Sequence, residues 1–210
     1  MLVAGIFSAL ILASVVGLTF IIERGLALRG RKIIPPSVEE ALDNCRATED
    51  LPMLRRTCQQ HPSPLSRLLL LADKHRSWSR AENASALETS ARHEVAKMER
   101  GLVVLEIVVG VAPLLGLVGT IYGLITIFAD MSRSGLGDNN QLASGIAYAL
   151  NSTLLGLLTA IPSLSAWSYY NKKVENLAIE MAALCDNFLR RQYHGETSED
   201  LPEETVRVKG

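Results

Sequence analysis

Three long runs that are almost free of charged residues constrain this chain more than any other feature. Residues 2–22 and 142–171 contain no charged side chain, and residues 101–129 contain only Glu106. A helix of about 20 apolar residues crosses the roughly 30 Å hydrocarbon core of a bilayer. The sequence therefore predicts an all-α membrane protein with three transmembrane helices. We expect the first run to be retained rather than cleaved as a signal peptide, because no positive charge precedes it and no small-residue cleavage site stands out.

The positive charges are distributed unevenly among the segments that flank the three runs. Of the 21 Lys and Arg residues, 14 lie between Arg24 and Arg100, only Arg133 lies between the second and third runs, and six follow the third. Positive charge close to membrane spans favours the cytoplasmic side. We therefore expect residues 24–100 and the segment after the third run in the cytoplasm, with the N-terminus and residues 130–141 on the opposite side.

Apolar residues at alternating spacings of three and four continue beyond the membrane runs. One seam starts at Ala84 and leads into the second run without a helix breaker, and another runs from Trp167 to Phe188. Such seams are typical of helices that pack against other helices. Spans two and three are therefore expected to extend into a cytoplasmic helical bundle, whose seams are filled either within the subunit or by a neighbouring copy.

These patterns divide the chain into seven predicted segments. They are transmembrane helix 1 at 1–23, a cytoplasmic helical region at 24–100, transmembrane helix 2 at 101–129, a short periplasmic loop at 130–141, transmembrane helix 3 at 142–171, a cytoplasmic helix extension at 172–192 and a disordered acidic tail at 193–210. Within the second segment, Ser37 and Glu40 have the spacing of a capping box and predict the start of a short helix.

The residue types that usually carry enzyme or metal chemistry form no recognisable site. The Cys and His residues match no metal or redox spacing, and we interpret them as packed or solvated side chains. No Walker A lysine, GxSxG motif or basic patch with interleaved aromatics is present. The sequence predicts no enzyme, no catalytic residue, no cofactor, no metal site and no nucleic-acid partner.

Small and hydroxylated residues form stripes on the second and third predicted helices. Residues three and four apart share a helix face, which gives Gly116, Thr120 and Gly123 on one helix and Ser152, Thr153, Gly156 and Thr159 on the other. Gly119 and Gly123 form a small-xxx-small pair. Such stripes permit close packing of helices in lipid, and two facing stripes are also compatible with a pore or a slot for a partner helix.

Glu106 is the only charged residue within the three apolar runs at 2–22, 101–129 and 142–171. An ionised side chain at the centre of a membrane helix costs about 2.5–3.5 kcal/mol on insertion scales, and less near the ends. Glu106 therefore either faces the interior of the bundle as a proton or ion contact, or reaches the interface near Arg100.

Two stretches together resemble the MotA/TolQ/ExbB proton-channel family, and ExbB and TolQ in particular. They are VAPLLGLVGTIYGLITIF at 111–128 and GIAYALNSTLLGLLTAIPSLSAWSYYNKKVE at 145–175. By this resemblance Thr120 and Thr153 match the two pore-facing threonines of the family. Gly116, Gly119, Gly123 and Gly156 match its packing glycines, and Pro113 and Pro162 match its two prolines.

The resemblance also implies an assembly and a function. It implies a homopentamer in the bacterial inner membrane, with a periplasmic N-terminus and a cytoplasmic C-terminus. The ring would surround an ExbD/TolR-like single-span protein with a membrane aspartate, and a TonB- or TolA-like protein would be a further partner. The expected function is a motor or stator, driven by the proton-motive force, that energises outer-membrane transport or another envelope process.

One residue departs from the family pattern. Tyr148 stands where ExbB and TolQ commonly have a glutamate, five residues before the second threonine. Either the threonines and the partner's aspartate suffice for proton handling, or Glu106 contributes from the other end. The alternative function is a structural membrane scaffold that retains the packing motifs without conducting protons. The sequence leaves open the process that is driven and the choice between proton and sodium.

Overall fold

The computed structural model describes residues 2–45, 50–134 and 139–193, and within these residues the chain forms eight α-helices. They are α1 (Leu2–Ala27), α2 (Gly30–Ile33), α3 (Pro36–Asn44), α4 (Leu51–Gln60), α5 (Pro64–Lys74), α6 (Arg80–Glu99), α7 (Leu102–Ser134) and α8 (Asn139–Tyr193). Part of the predicted loop at 130–141 and nearly all of the predicted acidic tail lie outside the described residues.

Three of these helices are long and apolar enough to cross a membrane. The candidate spans are Gly5–Ala27, Leu102–Ser132 and Ala143–Tyr193, and they confirm the predicted all-α fold with three transmembrane helices. At 1.5 Å per residue, the 55 residues of α8 are about 80 Å long, more than twice the thickness of a hydrocarbon core. The predicted extension of the third span is therefore present as one continuous helix.

The approach to the second span differs in detail from the uninterrupted helix that the seam predicts. Helix α6 ends at Glu99, and a two-residue turn separates it from α7. The guanidinium of Arg24 fills the space beside Gly101, where a Cβ atom would overlap it. Its Nη1 donates a hydrogen bond of 3.3 Å to the carbonyl oxygen of Met98, one of the last-turn carbonyls that lack a partner within a helix.

One compact unit consists of residues 1–28 and 98–174, and so contains α1, α7 and the first part of α8. Ile6 and Leu10 of α1 form a buried cluster with Ala112 and Ala160. Farther along α1, the hydroxyl of Tyr170 donates a 2.8 Å hydrogen bond to the carbonyl oxygen of Ile21. Helix α1 is thus packed on both of the other candidate spans.

The second unit consists of residues 29–97 and 175–210, of which the described part contains α2 to α6 and the end of α8. Its buried residues include Val38, Leu42, Leu54, Leu65, Leu68, Leu87, Leu177, Met181 and Phe188. The seam on α8 is therefore filled within a single chain from Leu177 onward, which answers the question that the sequence left open. Leu184 is only half-buried, and Cys185 is buried in its place.

The capping box occurs at a different helix from the one predicted. Helix α3 starts at Pro36 with Pro35 as its N-cap and no side-chain cap, because proline suits the first helical position and places Ser37 inside the first turn. The reciprocal bonds instead join Ser79 and Glu82 at the start of α6. The predicted capping box at Ser37 and Glu40 is therefore wrong, whereas the short helix predicted to start there is present as α3.

Two buried carboxylates in the second unit are paired with arginines at its surface. Asp73 pairs with Arg55, and Glu94 pairs with Arg67 and Lys97. Burial raises the pKa of Glu94, but the hydrogen bonds and positive charges of Arg67 and Lys97 outweigh it and leave the pKa below its usual value. Glu94 is thus held as a structural ion.

Candidate functional site

Glycines bring the backbones of α7 and α8 into direct contact. A Cβ atom on Gly116 would lie 2.8 Å from the carbonyl oxygen of Ser152 and 3.0 Å from the Cα of Thr153. A Cβ atom on Gly156 would lie 2.6 Å from the carbonyl oxygen of Ala112. Since backbone atoms cannot rotate away as a side chain can, a larger residue at either position would have to push the helices apart. These two glycines therefore set the distance between the helices.

Two further glycines of α7 receive small side chains of α8. A Cβ atom on Gly119 or on Gly123 would lie 2.7 Å from the Cβ of Ser152 or of Ala149, respectively. The predicted small-xxx-small pair thus packs against α8 of the same chain. In lipid, such close packing replaces the hydrophobic force that drives helix association in water.

Thr120 and Thr153 meet across this contact. Their hydroxyls are hydrogen-bonded to each other, and either oxygen can be the donor. Thr120 Oγ1 also lies 3.1 Å from the carbonyl oxygen of Ala149, and both hydroxyls lie 3.2 Å from that of Gly116. Both side chains are half-buried. We refer to these two residues as the threonine pair.

The hydroxyls farther along α8 are satisfied within their own helix. Thr159 Oγ1 donates a 3.0 Å hydrogen bond to the carbonyl oxygen of Leu155, and Ser163 Oγ donates one of 2.9 Å to that of Thr159. Such bonds to the residue four positions earlier are common for Ser and Thr within a helix. The hydroxyls of the threonine pair, by contrast, link the side chains of two helices.

The threonine pair lies at the edge of the packed interface. Helix α1 covers one side of the contact, where Ile6 lies beside Gly119. On the other side, Leu117, Leu150 and Leu157, which are three or four residues from the threonines, are exposed in the single chain. The hydroxyls therefore border an uncovered apolar surface.

Tyr148 does not join the threonine pair. Its ring lies 5.4 Å from that of Phe7 on α1, between ring centroids, and the side chain is 57 % exposed. At about 100° per residue, the five positions between Tyr148 and Thr153 place their side chains roughly 140° apart around α8. The structure thus separates this residue from the hydroxyls with which the sequence grouped it.

Glu106 and the two prolines lie at defined positions relative to the pair. Glu106, Pro113 and Thr120 are spaced by seven residues and so occupy one face of α7, with Glu106 about 21 Å from Thr120 along the helix. Glu106 is exposed. Pro113 and Pro162 lie inside α7 and α8, where each removes one backbone N–H donor.

Sequence reasoning missed the part that backbone oxygens play in this site. The carbonyls of Gly116 and Ala149 accept bonds from the threonines, and the carbonyl of Ala112 faces Gly156. The small-residue stripes indicated a close contact, but only the register between α7 and α8 determines which carbonyl meets which hydroxyl.

The similarity of this chain to known proteins includes the part that contains the threonine pair. The family model of the MotA/TolQ/ExbB proton channel family matches residues 53–183. The putative biopolymer transport protein ExbB-like 1 of Synechocystis is 38 % identical over 159 residues, covering 72 % of this chain and 61 % of that protein. The putative ExbB homolog of Methanothermobacter thermautotrophicus is 32 % identical over 140 residues, covering 67 % of this chain and 48 % of that protein.

A third relative aligns over a longer stretch. The Tol-Pal system protein TolQ of Pseudomonas aeruginosa is 28 % identical over 208 residues, covering 91 % of this chain and 88 % of that protein. The chain thus spans about half to two thirds of the two ExbB-like relatives and most of this TolQ. Since the family model covers well over half of the 210 residues, this chain belongs to the MotA/TolQ/ExbB proton channel family.

Proposed function

We propose that this protein is an ExbB/TolQ-like subunit of an inner-membrane motor or stator that is driven by the proton-motive force. With an ExbD/TolR-like single-span partner it would energise outer-membrane transport or another envelope process, with a TonB- or TolA-like protein as a further partner. The observation that carries the proposal is the threonine pair, which places two hydroxyls beside an uncovered apolar surface in the middle of the paired spans.

The hydrogen-bond capacity of the pair indicates what it can bind. Two hydroxyls have two hydrogens and four acceptor lone pairs between them. One hydrogen joins Thr120 to Thr153, and the other is within reach of the carbonyl oxygens of Gly116 and Ala149. Both donors are thus used within the chain, whereas three of the four lone pairs stay open.

A site with used donors and open acceptors favours a protonated carboxyl over a carboxylate. A carboxylic acid can donate its O–H to an open lone pair, while a carboxylate accepts only and would require a threonine to give up an existing bond. The membrane adds to this preference, because an ionised side chain is costly at the centre of a bilayer. We infer that the threonine pair holds the partner's membrane aspartate in its protonated form.

The surface beside the threonine pair suits a partner helix. Leu117, Leu150 and Leu157 supply apolar contact area, and the half-buried hydroxyls supply one polar position at a defined depth. In a homo-oligomer, pentameric by analogy with the family, these surfaces would line the space around the partner. Glu106, on the same face of α7, would exchange protons at the cytoplasmic end, with residues 24–100 in the cytoplasm and the N-terminus in the periplasm.

The test is proton uptake by liposomes that contain this protein and its single-span partner. Thr120→Val and Thr153→Val should leave assembly intact and lower uptake about tenfold or more, because a buried polar partner left unsatisfied costs about 1–3 kcal/mol. Thr153→Ser should retain most of the activity. The matched control is Thr159→Val, which should have a milder effect because Thr159 bonds only within its own helix.

The rival function is a structural membrane scaffold that conducts no protons. Two points favour it: the threonines are already bonded within one chain, and Tyr148 stands where, by the resemblance, ExbB and TolQ commonly have a glutamate. Full proton uptake in both valine variants would reduce the threonine pair to a packing device. A wild-type complex that forms with its partner and takes up no protons under a membrane potential would establish the scaffold instead.

A further inference from the structure

Pro113 leaves one backbone carbonyl of α7 without its helical partner. A carbonyl in an α-helix accepts a hydrogen bond from the N–H four residues later, and proline has no N–H. The carbonyl of Val109 therefore loses its bond, although α7 continues unbroken from Leu102 to Ser134. In a membrane, a carbonyl freed in this way is satisfied by a neighbouring helix, by a Ser or Thr side chain or by water.

The hydroxyls of the spans bond other carbonyls. Those of the threonine pair lie within hydrogen-bond distance of the carbonyl oxygens of Gly116 and Ala149, and Thr159 bonds that of Leu155. Val109 is half-buried, at the edge of the contact between α7 and α8. Within the described part of the chain these hydroxyls do not reach its carbonyl, which leaves water as the partner.

The freed carbonyl lies on the line between Glu106 and the threonine pair. A helical carbonyl points toward the residue four positions later, so that of Val109 points toward Pro113, on the face of α7 that also carries Glu106 and Thr120. Seven residues separate Val109 from Gly116, whose carbonyl meets the threonines. The distance between the two carbonyls along the helix is therefore about 10 Å, which three water molecules at a spacing of about 2.8 Å bridge.

Gly110 keeps the surface between Glu106 and the freed carbonyl open. A side chain on a helix points toward the N-terminus and covers the residue four positions earlier, which for position 110 is Glu106. A Cβ atom on Gly110 would meet nothing within 4 Å, and Glu106 is exposed. Val111, the next residue, points about 100° farther around the helix and away from this line.

We propose that a chain of water molecules carries protons from the threonine pair to Glu106, with the Val109 carbonyl as its intermediate anchor. This inference rests on the proposed function, because the partner and neighbouring copies would close the path against lipid. The partner's carboxyl gives its proton to the nearest water, each water passes one proton on, and the Glu106 carboxylate accepts one and releases it to the cytoplasm. The carbonyl takes up no proton and holds the water in place.

Cysteine labelling in liposomes that contain the full-length protein and its single-span partner tests for the water. The probe is a water-soluble methanethiosulfonate, which reacts with the thiolate, a form that requires water. Gly110→Cys should react about tenfold or more faster than Val111→Cys. The two positions have the same depth, so a difference in rate reports the side of α7. The three native cysteines are buried, and the parent protein gives the background.

Two results of the labelling would overturn the proposal. Equal rates at the two positions would mean that water is not confined to the face of Glu106. Slow reaction at both would mean that lipid or a neighbouring helix covers the Val109 carbonyl.

The substitution Pro113→Ala tests the carbonyl itself. Alanine supplies the missing N–H to Val109, so labelling of Gly110→Cys should become slower. The matched control is Pro162→Ala, which supplies an N–H to the carbonyl of Leu158, on the side of α8 opposite the threonine pair, and should leave the rate unchanged. Equal slowing by both substitutions would assign the effect to helix bending and overturn the role of the carbonyl.

Proton uptake by the same liposomes separates this inference from the proposed function. Gly110→Leu should lower uptake about tenfold or more, because an apolar side chain would interrupt the hydrogen bonds of the water chain. Gly5→Leu is the control, since Gly5 also has open space in a candidate span, and its uptake should match the wild type. Normal uptake in Gly110→Leu, with uptake lost in the threonine variants, would overturn the water chain alone. No uptake in the wild-type complex would overturn both.

Discussion

At the scale of single residues, the short distance between α7 and α8 depends on glycines, because these residues have no side chain to hold the two backbones apart. Gly116 and Gly156 each face a backbone carbonyl of the other helix, whereas Gly110, on the same helix as Gly116, has open space where a side chain would begin. The three glycines lie in candidate spans and differ mainly in what a methyl group would touch. Substituting alanine at the three positions therefore distinguishes two effects on stability: the clash between helix backbones, and the greater helix propensity of alanine.

We expect Gly116→Ala and Gly156→Ala to destabilise the spans by about 1–3 kcal/mol, because the added methyl forces two backbones apart. Gly110→Ala should be neutral or slightly stabilising, since alanine is the better helix former. Thermal unfolding in detergent measures the difference. Equal stability of all three variants would mean that α7 and α8 are not in backbone contact. The substitutions at Gly116 and Gly156 should also break the bond of the threonine pair.

At the scale of elements, α8 carries two sides of different character in the second unit. Leu177 is 7 % exposed, whereas Ile179, two residues later on the same helix, is 62 % exposed. The periodicity of the seam marked the position of Leu177 and left open whether its own chain or a neighbour covers it. Because Leu177 is buried within its own chain, a polar substitution there should destabilise the folded subunit itself rather than a contact between subunits.

The substitution Leu177→Asp should therefore unfold the second unit or destabilise it by several kcal/mol, since an unpaired charge would replace a buried aliphatic side chain. Ile179→Asp should change the stability of the isolated chain little. Limited proteolysis of the two detergent-extracted variants makes the comparison. We expect faster cleavage within residues 29–97 of the second unit in the Leu177 variant than in the Ile179 variant. Full protease resistance of the Leu177 variant would place the side chain at a surface.

At the scale of the whole molecule, the three spans predict on which side of the membrane each connection lies. A cysteine at Asn139, between the second and third spans, and a cysteine at Ser77, between the first and second, should react with a membrane-impermeant reagent from opposite sides. The reason is the concentration of Lys and Arg between Arg24 and Arg100. Labelling of intact and permeabilised cells makes the measurement, and labelling of both positions from the same side would refute the three-span topology.

The features of the fold that the sequence predicts are those that depend on one helix alone, such as its length and its apolar character. Lipid requires long apolar helices, so the three spans followed from composition alone, and the spacing of Thr120 and Thr153 placed each on a small-residue face. Contacts between helices were not predictable in this way. The pairing of Tyr148 with Phe7 depends on how α1 lies against α8. The capping box at Ser79 rather than Ser37 depends on where a proline had already started a helix.

The packing of α1 bears on the order in which the membrane unit is assembled during synthesis. Its partners Ala112 and Ala160 come much later in the chain than Ile6 and Leu10. The roughly 75 residues between Ala27 and Leu102 take about 4–15 s to translate at 5–20 residues per second. During that time α1 is without these two partners, which costs little in lipid because acyl chains are as apolar as leucine. The contact between α7 and α8 cannot form before Gly156 has been synthesised, and the cluster around Ile6 and Leu10 cannot be completed before Ala160 has been, so α1 is inserted first and acquires its full packing last.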